Sequence, residues 1–107
     1  MIKRLTQWQP RDGITREEAL SYWKNEHAPL LERVPGVKRY VQNHCMDGPA
    51  GEEPPYAGLG EVWFESRSAA ERATSSEEWQ AVLADAATFM NIEQISAAWA
   101  EEYVYLD

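Results

Sequence analysis

The chain has little of what several large classes of protein require. Its single cysteine, Cys45, excludes an internal disulfide and is typical of a reducing compartment. It has no run of about 18 apolar residues, so we expect no membrane-spanning helix. Its 10 Lys and Arg are outnumbered by 18 Asp and Glu, and this acidic balance argues against nucleic-acid binding. Residues 1–10 lack the pattern of a secretory signal, so we expect a cytoplasmic protein.

Motifs for metals and nucleotides are also missing. The two histidines, His27 and His44, stand at no spacing typical of zinc or non-haem iron ligands, so the sequence predicts no metal site. The glycine-rich motifs that hold nucleotide phosphates do not occur.

What is present indicates one folded domain. The 107 residues are 44% hydrophobic and include 5 Trp and 5 Tyr, which excludes intrinsic disorder. No internal repeat and no low-complexity linker divides the chain. We therefore expect a single domain that spans residues 1–107.

Periodicity predicts the order strand, helix, strand, strand, helix, strand. The first helix should begin at the capping box Thr15-Arg16-Glu17-Glu18 and kink near residues 25–28, before Pro29. Capping boxes that begin at Ser68 and Ser75 predict a second helix in two parts. The predicted strands are residues 2–8, 37–46, 58–65 and 97–107, with a loop at 47–56.

This order predicts an α+β fold of the ferredoxin-like βαββαβ type, in which helices cover one face of a four-stranded antiparallel sheet. The third and fourth strands are apolar on both faces, so the second face of the sheet would be a large apolar patch in a monomer. We expect two copies to pack face to face as a homodimer, and burial by a different partner is the alternative.

Two residues suit proton chemistry. His27 shares an apolar helix face with Trp23 and Leu31, so it should face the sheet, where an imidazole can move protons; the alternative is a core histidine satisfied by one hydrogen bond. Tyr40 would meet His27 across a pocket if its strand face looks towards the helices, and its phenol would donate to a developing oxyanion. The alternative is an amphipathic core tyrosine.

Further candidates flank these two. Gln42 shares the strand face of Tyr40, and Asn43 lies on the other face. Glu61 interrupts an apolar strand, so it is either an edge carboxylate or a pocket acid or base with a raised pKa. Aromatic walls suit a planar, largely apolar ligand, and we expect Trp8, Trp23 and Trp63 to supply them.

Several of these motifs together resemble the EthD family of dimeric α+β barrel proteins. The matching segments are Gly13–Glu18, Tyr22-Trp23, Glu26–Leu30, Val34–Tyr40 with Asn43, Gly60–Ser66, and Asp85 with Phe89. The chain also resembles the methylmuconolactone methylisomerases, which implies that His27 and Tyr40 belong to an active site. A second histidine of those enzymes has no counterpart in residues 47–56. The resemblance implies small lactone or aromatic polyketide-like substrates and neither metal nor organic cofactor.

We therefore expect a cofactor-independent isomerase, cyclase or lyase that moves a proton beside the carbonyl of a small, largely apolar compound. His27 and Tyr40 are the predicted catalytic residues. The predicted substrate-binding residues are Trp8, Trp23, Gln42, Asn43, Glu61 and Trp63. Two alternatives stay open: a cofactor-free oxygenase of a phenol, and a non-catalytic ligand-binding protein that accompanies an oxidising enzyme system.

Overall fold

The backbone forms one antiparallel sheet in the strand order β2-β3-β1-β4. The computed structural model describes residues 1–107. The strands are β1 (Ile2–Trp8), β2 (Val37–His44), β3 (Gly58–Phe64) and β4 (Ser96–Glu101). The helices are α1 (Arg16–Tyr22), α2 (Ala28–Glu32), α3 (Arg67–Thr74) and α4 (Glu77–Ala86). The predicted ferredoxin-like α+β fold is confirmed.

The first helical segment begins at the predicted capping box. The Glu18 amide donates to the Thr15 hydroxyl at 3.1 Å, and the Thr15 amide donates to the Glu18 carboxylate at 3.0 Å. Pro29 has no amide hydrogen for the carbonyl four residues earlier, and the chain widens into a π-helical turn, Trp23–His27, instead of ending. This turn joins α1 to α2 and is the form that the predicted kink takes.

The later helices begin at different serines from those predicted. Ser66 caps α3 and Ser76 caps α4, and each hydroxyl accepts from the amide three residues further on. The predicted caps, Ser68 and Ser75, were wrong because an N-cap requires extended backbone. Ser66 and Ser76 have it, whereas Ser75 has helical dihedral angles and closes α3.

The fourth strand is shorter than predicted. It ends at Glu101 and not at residue 107, because Glu101 pairs with Ile2, the first residue of β1, and no strand of the protomer continues beyond that pair. The large side chains that follow are exposed: Tyr103, Val104, Tyr105 and Leu106. For the same reason β2 ends at His44, opposite the first residue of β3, and not at residue 46.

The sheet packs one face against the helices. Side chains alternate along a strand, so Trp8 of β1 and Phe64 of β3 point to the helix side and are buried there. The opposite face, which we call the open face, carries the half-buried Leu5, Val41 and Leu59. None of the helices has both the length and the apolar character that a membrane crossing requires.

Candidate active site

A cavity of about 100 Å³ lies between the helix-facing side of the sheet and the helices. Its lining is largely hydrophobic. The polar side chains that reach it are Arg4, Thr6, His27 and Tyr40. Leu83 of α4 also lines the cavity and is 46% exposed, so the cavity opens to solvent beside this side chain.

Gly60 of β3 forms the floor of the cavity. It pairs with Thr6 of β1 on one side and with Gln42 of β2 on the other. A Cβ atom at this position would lie 3.4 Å from Cζ2 of Trp23. The missing side chain therefore provides the space between the sheet and the π-helical turn.

The His27 side chain is held by a carboxylate. It is only 3% exposed, and its Nδ1 lies 2.8 Å from Oδ2 of Asp85, on α4. The Tyr22 hydroxyl donates to the other oxygen, Oδ1, at 2.6 Å. A carboxylate oxygen accepts, so Nδ1 carries the proton of the neutral ring and Nε2 keeps a free lone pair. Nε2 has no hydrogen-bond partner within the protein.

The protonation state of His27 follows from two opposing effects. Burial lowers the pKa of His27 below its ordinary value, because the charged imidazolium loses its hydration. The hydrogen bond and the negative charge of Asp85 act in the opposite direction without cancelling this effect. At neutral pH the ring is therefore uncharged and able to accept a proton at Nε2.

Tyr40 is oriented by its neighbour Gln42. The Gln42 amide nitrogen donates to the Trp23 carbonyl at 2.9 Å and to the Tyr40 hydroxyl at 2.7 Å. A carbonyl only accepts, so this contact fixes which end of the Gln42 amide is nitrogen. The Tyr40 oxygen thus accepts from Gln42, and its own proton is free for a ligand. Burial raises the pKa of Tyr40 to about 12, so the phenol keeps that proton.

The π-helical turn supports both groups. Its carbonyl at Trp23 accepts from the Ala28 amide five residues later as well as from Gln42. His27, the last residue of the turn, packs its ring 5.1 Å from the Phe89 ring, which follows α4. The turn therefore carries the imidazole itself and, through the Trp23 carbonyl, holds the Gln42 side chain that orients the phenol.

Three predicted site residues lie on the open face, away from the cavity. Glu61 and Trp63 alternate with the helix-facing residues of β3, and Asn43 lies beside Glu61 on β2. The Glu61 carboxylate accepts from Lys3 Nζ and from Asn43 Nδ2, both at 2.9 Å. The Trp63 ring is stacked under the Arg39 guanidinium, 4.6 Å from its centroid. The structure thus brings together Trp8, Trp23, His27, Tyr40 and Gln42, but not these three.

Of the two alternatives for Glu61, the pocket acid or base with a raised pKa is wrong. Burial does act to raise it, but the hydrogen bonds from Lys3 and Asn43 outweigh burial, and the pKa of Glu61 lies below its ordinary value. Lys3 is 58 residues away along the chain, so no local pattern around Glu61 indicates this partner.

Sequence reasoning also missed residues that the structure places in the site. Asp85 was named only in a segment that resembles the EthD family and was not proposed as a site residue, although it flanks the apolar stripe of its helix and so stands close to the core. Arg4 and Thr6 were not proposed as site residues. The signal for them is their alternation with Trp8, which puts all three on one face of β1.

Comparisons with known proteins agree with the fold. Residues 11–93 match the EthD domain. A Rhodococcus erythropolis protein described as an uncharacterized 11.0 kDa protein in the thcB-thcC intergenic region is 35% identical over 80 residues, which is 75% of this chain and 74% of that protein.

Solved structures are more distant in sequence. An EthD family protein from Bacillus halodurans superposes with a TM-score of 0.84 at 20% identity, over 96% of this chain and 99% of that one. A dimeric ferredoxin-like protein of unknown function from Thermobifida fusca gives 0.68 at 15% identity, over 94% and 90%. SnoaB, a cofactor-independent oxygenase from Streptomyces nogalater, gives 0.70 at 10% identity, over 98% and 95%.

A relation to the methylmuconolactone methylisomerases stays a prediction. The EthD match extends over residues 11–93, which include α1, the π-helical turn, β2, β3 and α4. It therefore contains His27, Tyr40 and Asp85. The chain belongs to the EthD family.

Proposed function

We propose that this EthD protein is a cofactor-independent isomerase, cyclase or lyase that moves a proton at the carbon beside a carbonyl group of a small, largely apolar compound. One observation carries the proposal. A buried neutral imidazole lines an apolar cavity with Nε2 free, and its Nδ1 lies 2.8 Å from the Asp85 carboxylate.

His27 would act as the base. Its Nε2 takes the proton from the carbon, the electron pair of the broken C–H bond moves to form an enolate, and the ring becomes an imidazolium. The Asp85 carboxylate stabilises this cation, and the Tyr22 hydroxyl holds Asp85 in place at 2.6 Å. Return of the proton to a different atom of the enolate completes an isomerisation.

Tyr40 would stabilise the enolate oxygen. Its proton is free because its oxygen already accepts from Gln42, and its high pKa keeps that proton in place. A donor that is fixed before the reaction stabilises developing charge without reorganisation. Gln42 would therefore act through Tyr40, as a positioning residue.

Aromatic walls favour a planar substrate. The Trp8 and Trp23 rings meet edge to face at 5.1 Å and both line the cavity. They present apolar surface on which a ring or a conjugated carbonyl compound can pack. Asn43, Glu61 and Trp63 lie on the other face of the sheet, so we no longer assign them to substrate binding.

We infer that the protein acts as a cytoplasmic homodimer. The open face carries Leu5, Val41 and Leu59, which a second copy would cover, and one solved neighbour is described as dimeric. The free thiol of Cys45 fits a reducing compartment.

A cofactor-free oxygenase is the second candidate. It is favoured by the fold likeness to SnoaB, described as a cofactor-independent oxygenase, and by the neutral imidazole of His27. The same Nε2 would deprotonate a phenol, and the electron-rich phenolate would then react with dioxygen. Oxygen consumption with phenolic substrates, absent under nitrogen, would identify this activity.

Hydrogen–deuterium exchange tests the proton-transfer proposal. The protein is incubated in D₂O under nitrogen with a panel of aryl ketones and lactones, and loss of the hydrogens beside the carbonyl is followed by NMR. We expect His27→Asn to lower the exchange rate by about 10²–10⁴-fold, the usual contribution of a positioned base. Glu93→Gln, a change to an exposed side chain outside the cavity, should leave it within about twofold.

Two results would overturn the proposal. Exchange at the wild-type rate in a folded His27→Asn protein would remove His27 from the reaction. Binding of the panel with no exchange above the solvent background would favour the ligand-binding alternative, a non-catalytic protein.

A further inference from the structure

Arg4 is the one charged side chain in the lining of the cavity. It is half-buried on β1, and its guanidinium carbon lies 5.4 Å from the centroid of the Trp79 ring and 5.8 Å from that of Trp99. Both distances are within the range of cation–π contact, and no protein acceptor bonds to the guanidinium N–H groups.

No carboxylate neutralises this charge. The chain has 18 Asp and Glu, yet none of its ion pairs involves Arg4, and no side-chain hydrogen bond does so. Burial acts to lower the pKa of Arg4, because the charged form loses part of its hydration there. A guanidinium stays charged at neutral pH, so an anion that reaches its N–H groups gains charge-assisted hydrogen bonds.

The charge of Arg4 is not offset within the cavity. Arg67 of α3 lies 5.0 Å from the centroid of the same Trp99 ring, but it does not line the cavity, and its Nε lies 3.9 Å from the Glu71 carboxylate. No acidic side chain lines the cavity. One end of the cavity is therefore positively charged, although the protein as a whole has a net charge of −8.

The sheet register relates Arg4 to the reacting groups. Tyr40 of β2, Val62 of β3 and Arg4 of β1 form one row across the sheet, and all three line the cavity. Their backbones are therefore two strand spacings apart, about 9–10 Å between Arg4 and Tyr40. A ligand that lies across β3, over Val62 and Gly60, would reach both side chains.

We propose that Arg4 binds a carboxylate of the substrate, so that the substrate class is a small aromatic or conjugated carboxylic acid with its reactive carbonyl at the opposite end. Arg4 would pair with the carboxylate through two parallel N–H···O bonds. Tyr40 would receive the carbonyl oxygen, and His27 the proton. This assignment rests on the proposed function for the role of His27, but the binding of the anion does not.

Matched ligands test the assignment. The probes are 4-acetylbenzoate and its neutral analogue 4-acetylbenzamide, which share a ring and a methyl ketone, and Kd is measured by calorimetry at pH 7.5. We expect the wild type to bind the benzoate at least about tenfold more tightly than the amide, as hydrogen bonds to charged groups allow. Arg4→Met should abolish this preference, and Arg4→Lys should keep part of it.

Arg67→Met is the matched control. It removes a cation from the same Trp99 ring but not from the cavity, so the preference should change by less than about twofold. Equal affinity of the wild type for the two probes would overturn the assignment. An equal loss of the preference for the benzoate in Arg4→Met and in Arg67→Met would also overturn it, because the preference would then come from the overall charge of the protein. If Arg4→Met does not fold, Arg4→Lys and the wild-type comparison still decide.

The same probes separate this inference from the proposed function. Deuterium exchange at the methyl group of 4-acetylbenzoate reports on His27, and the preference for the anion reports on Arg4. A preference for the benzoate without exchange would support the anion site and contradict the catalytic proposal. Exchange without a preference for the benzoate would support the catalytic proposal and contradict the anion site.

Discussion

Two opposing effects, burial and the Asp85 carboxylate, set the pKa of His27. Burial removes water from the ring and lowers its pKa, so the ring is neutral at pH 7. Asp85 partly offsets this effect and fixes the tautomer by accepting the Nδ1 proton. The rate of proton abstraction should therefore rise with pH, as the imidazolium loses its proton, with the midpoint of the rise below pH 6.5 and a plateau at higher pH.

Asp85→Asn should change both the rate and its pH dependence. The variant removes the negative charge and the hydrogen bond that raise the pKa of His27, so the inflection of the pH–rate profile should move to lower pH. The plateau rate should fall by about tenfold or more, because an amide neither stabilises the imidazolium nor enforces the Nδ1–H tautomer. The measurement is the exchange rate of the aryl ketone panel between pH 4.5 and 8.

Tyr22→Phe is the control for this prediction. It removes a hydrogen bond to Asp85 but leaves the contact between Asp85 and His27, so the inflection should shift less than in Asp85→Asn. An unchanged inflection in Asp85→Asn would show that Asp85 does not act on the ring, whatever the change in rate.

At the scale of elements, Trp8 of β1 packs tightly against Gly58 of β3. The Trp8 indole lies over this glycine, and a Cβ there would come within 2.7 Å of Cε2 of Trp8 and 2.8 Å of Cζ3 of Trp23. Both rings are buried, so neither has room to move away.

Gly58→Ala should therefore destabilise the fold by about 1–3 kcal/mol, the usual cost of overpacking a core. Gly60→Ala is the matched control, since its Cβ would lie 3.4 Å from the nearest atom, Cζ2 of Trp23. Its stability should change less, although the added methyl group narrows the cavity. Urea denaturation measures the free energy of unfolding of both variants. Equal stability of Gly58→Ala and the wild type would show that the Trp8 contact is not tight.

The elements that the sequence predicts well are those with local signals. The capping box at Thr15 and the alternation of β1 depend on neighbours a few residues away, and both predictions are confirmed. The end of β4 at Glu101 depends on where β1 begins, about a chain length away, and no local pattern contains that information. The predicted serine caps were wrong because the spacing of hydroxyl and carboxylate residues does not indicate the backbone dihedral angles that a cap requires.

The site residues also differ in whether a local sequence pattern can identify them. Helical periodicity and strand alternation indicate that His27 and Tyr40 face inward, and both line the cavity. Asp85 and Arg4 owe their importance to long-range contacts, or to the lack of one, which only the folded chain shows. The two alternatives for Glu61 stayed open because its partner, Lys3, is remote in sequence.

At the scale of the whole molecule, the open face of the sheet requires a cover. We expect sedimentation or light scattering to give a mass of twice 12.2 kDa, because sheet-to-sheet packing would bury Leu5, Val41 and Leu59. Leu59→Glu should shift the protein towards monomer, since it places a charge in that interface.

The control for this prediction is Ile92→Glu, at a side chain that is 62% exposed and lies outside the sheet. It should leave the mass unchanged. A monomeric wild type at micromolar concentration would contradict the homodimer and favour a different partner for the open face.

The most direct measurement is the ¹⁵N NMR titration of the imidazole rings, which is simple here because the chain has 2 histidines and His44→Gln assigns them. We predict that at pH 7 His27 is neutral, with its proton on Nδ1 and none on Nε2, that its titration midpoint lies below 6.5, and that 4-acetylbenzoate shifts the Nε2 resonance. A proton on Nε2 at pH 7, or a midpoint above 6.5, would contradict the role of His27 as the base of the cavity.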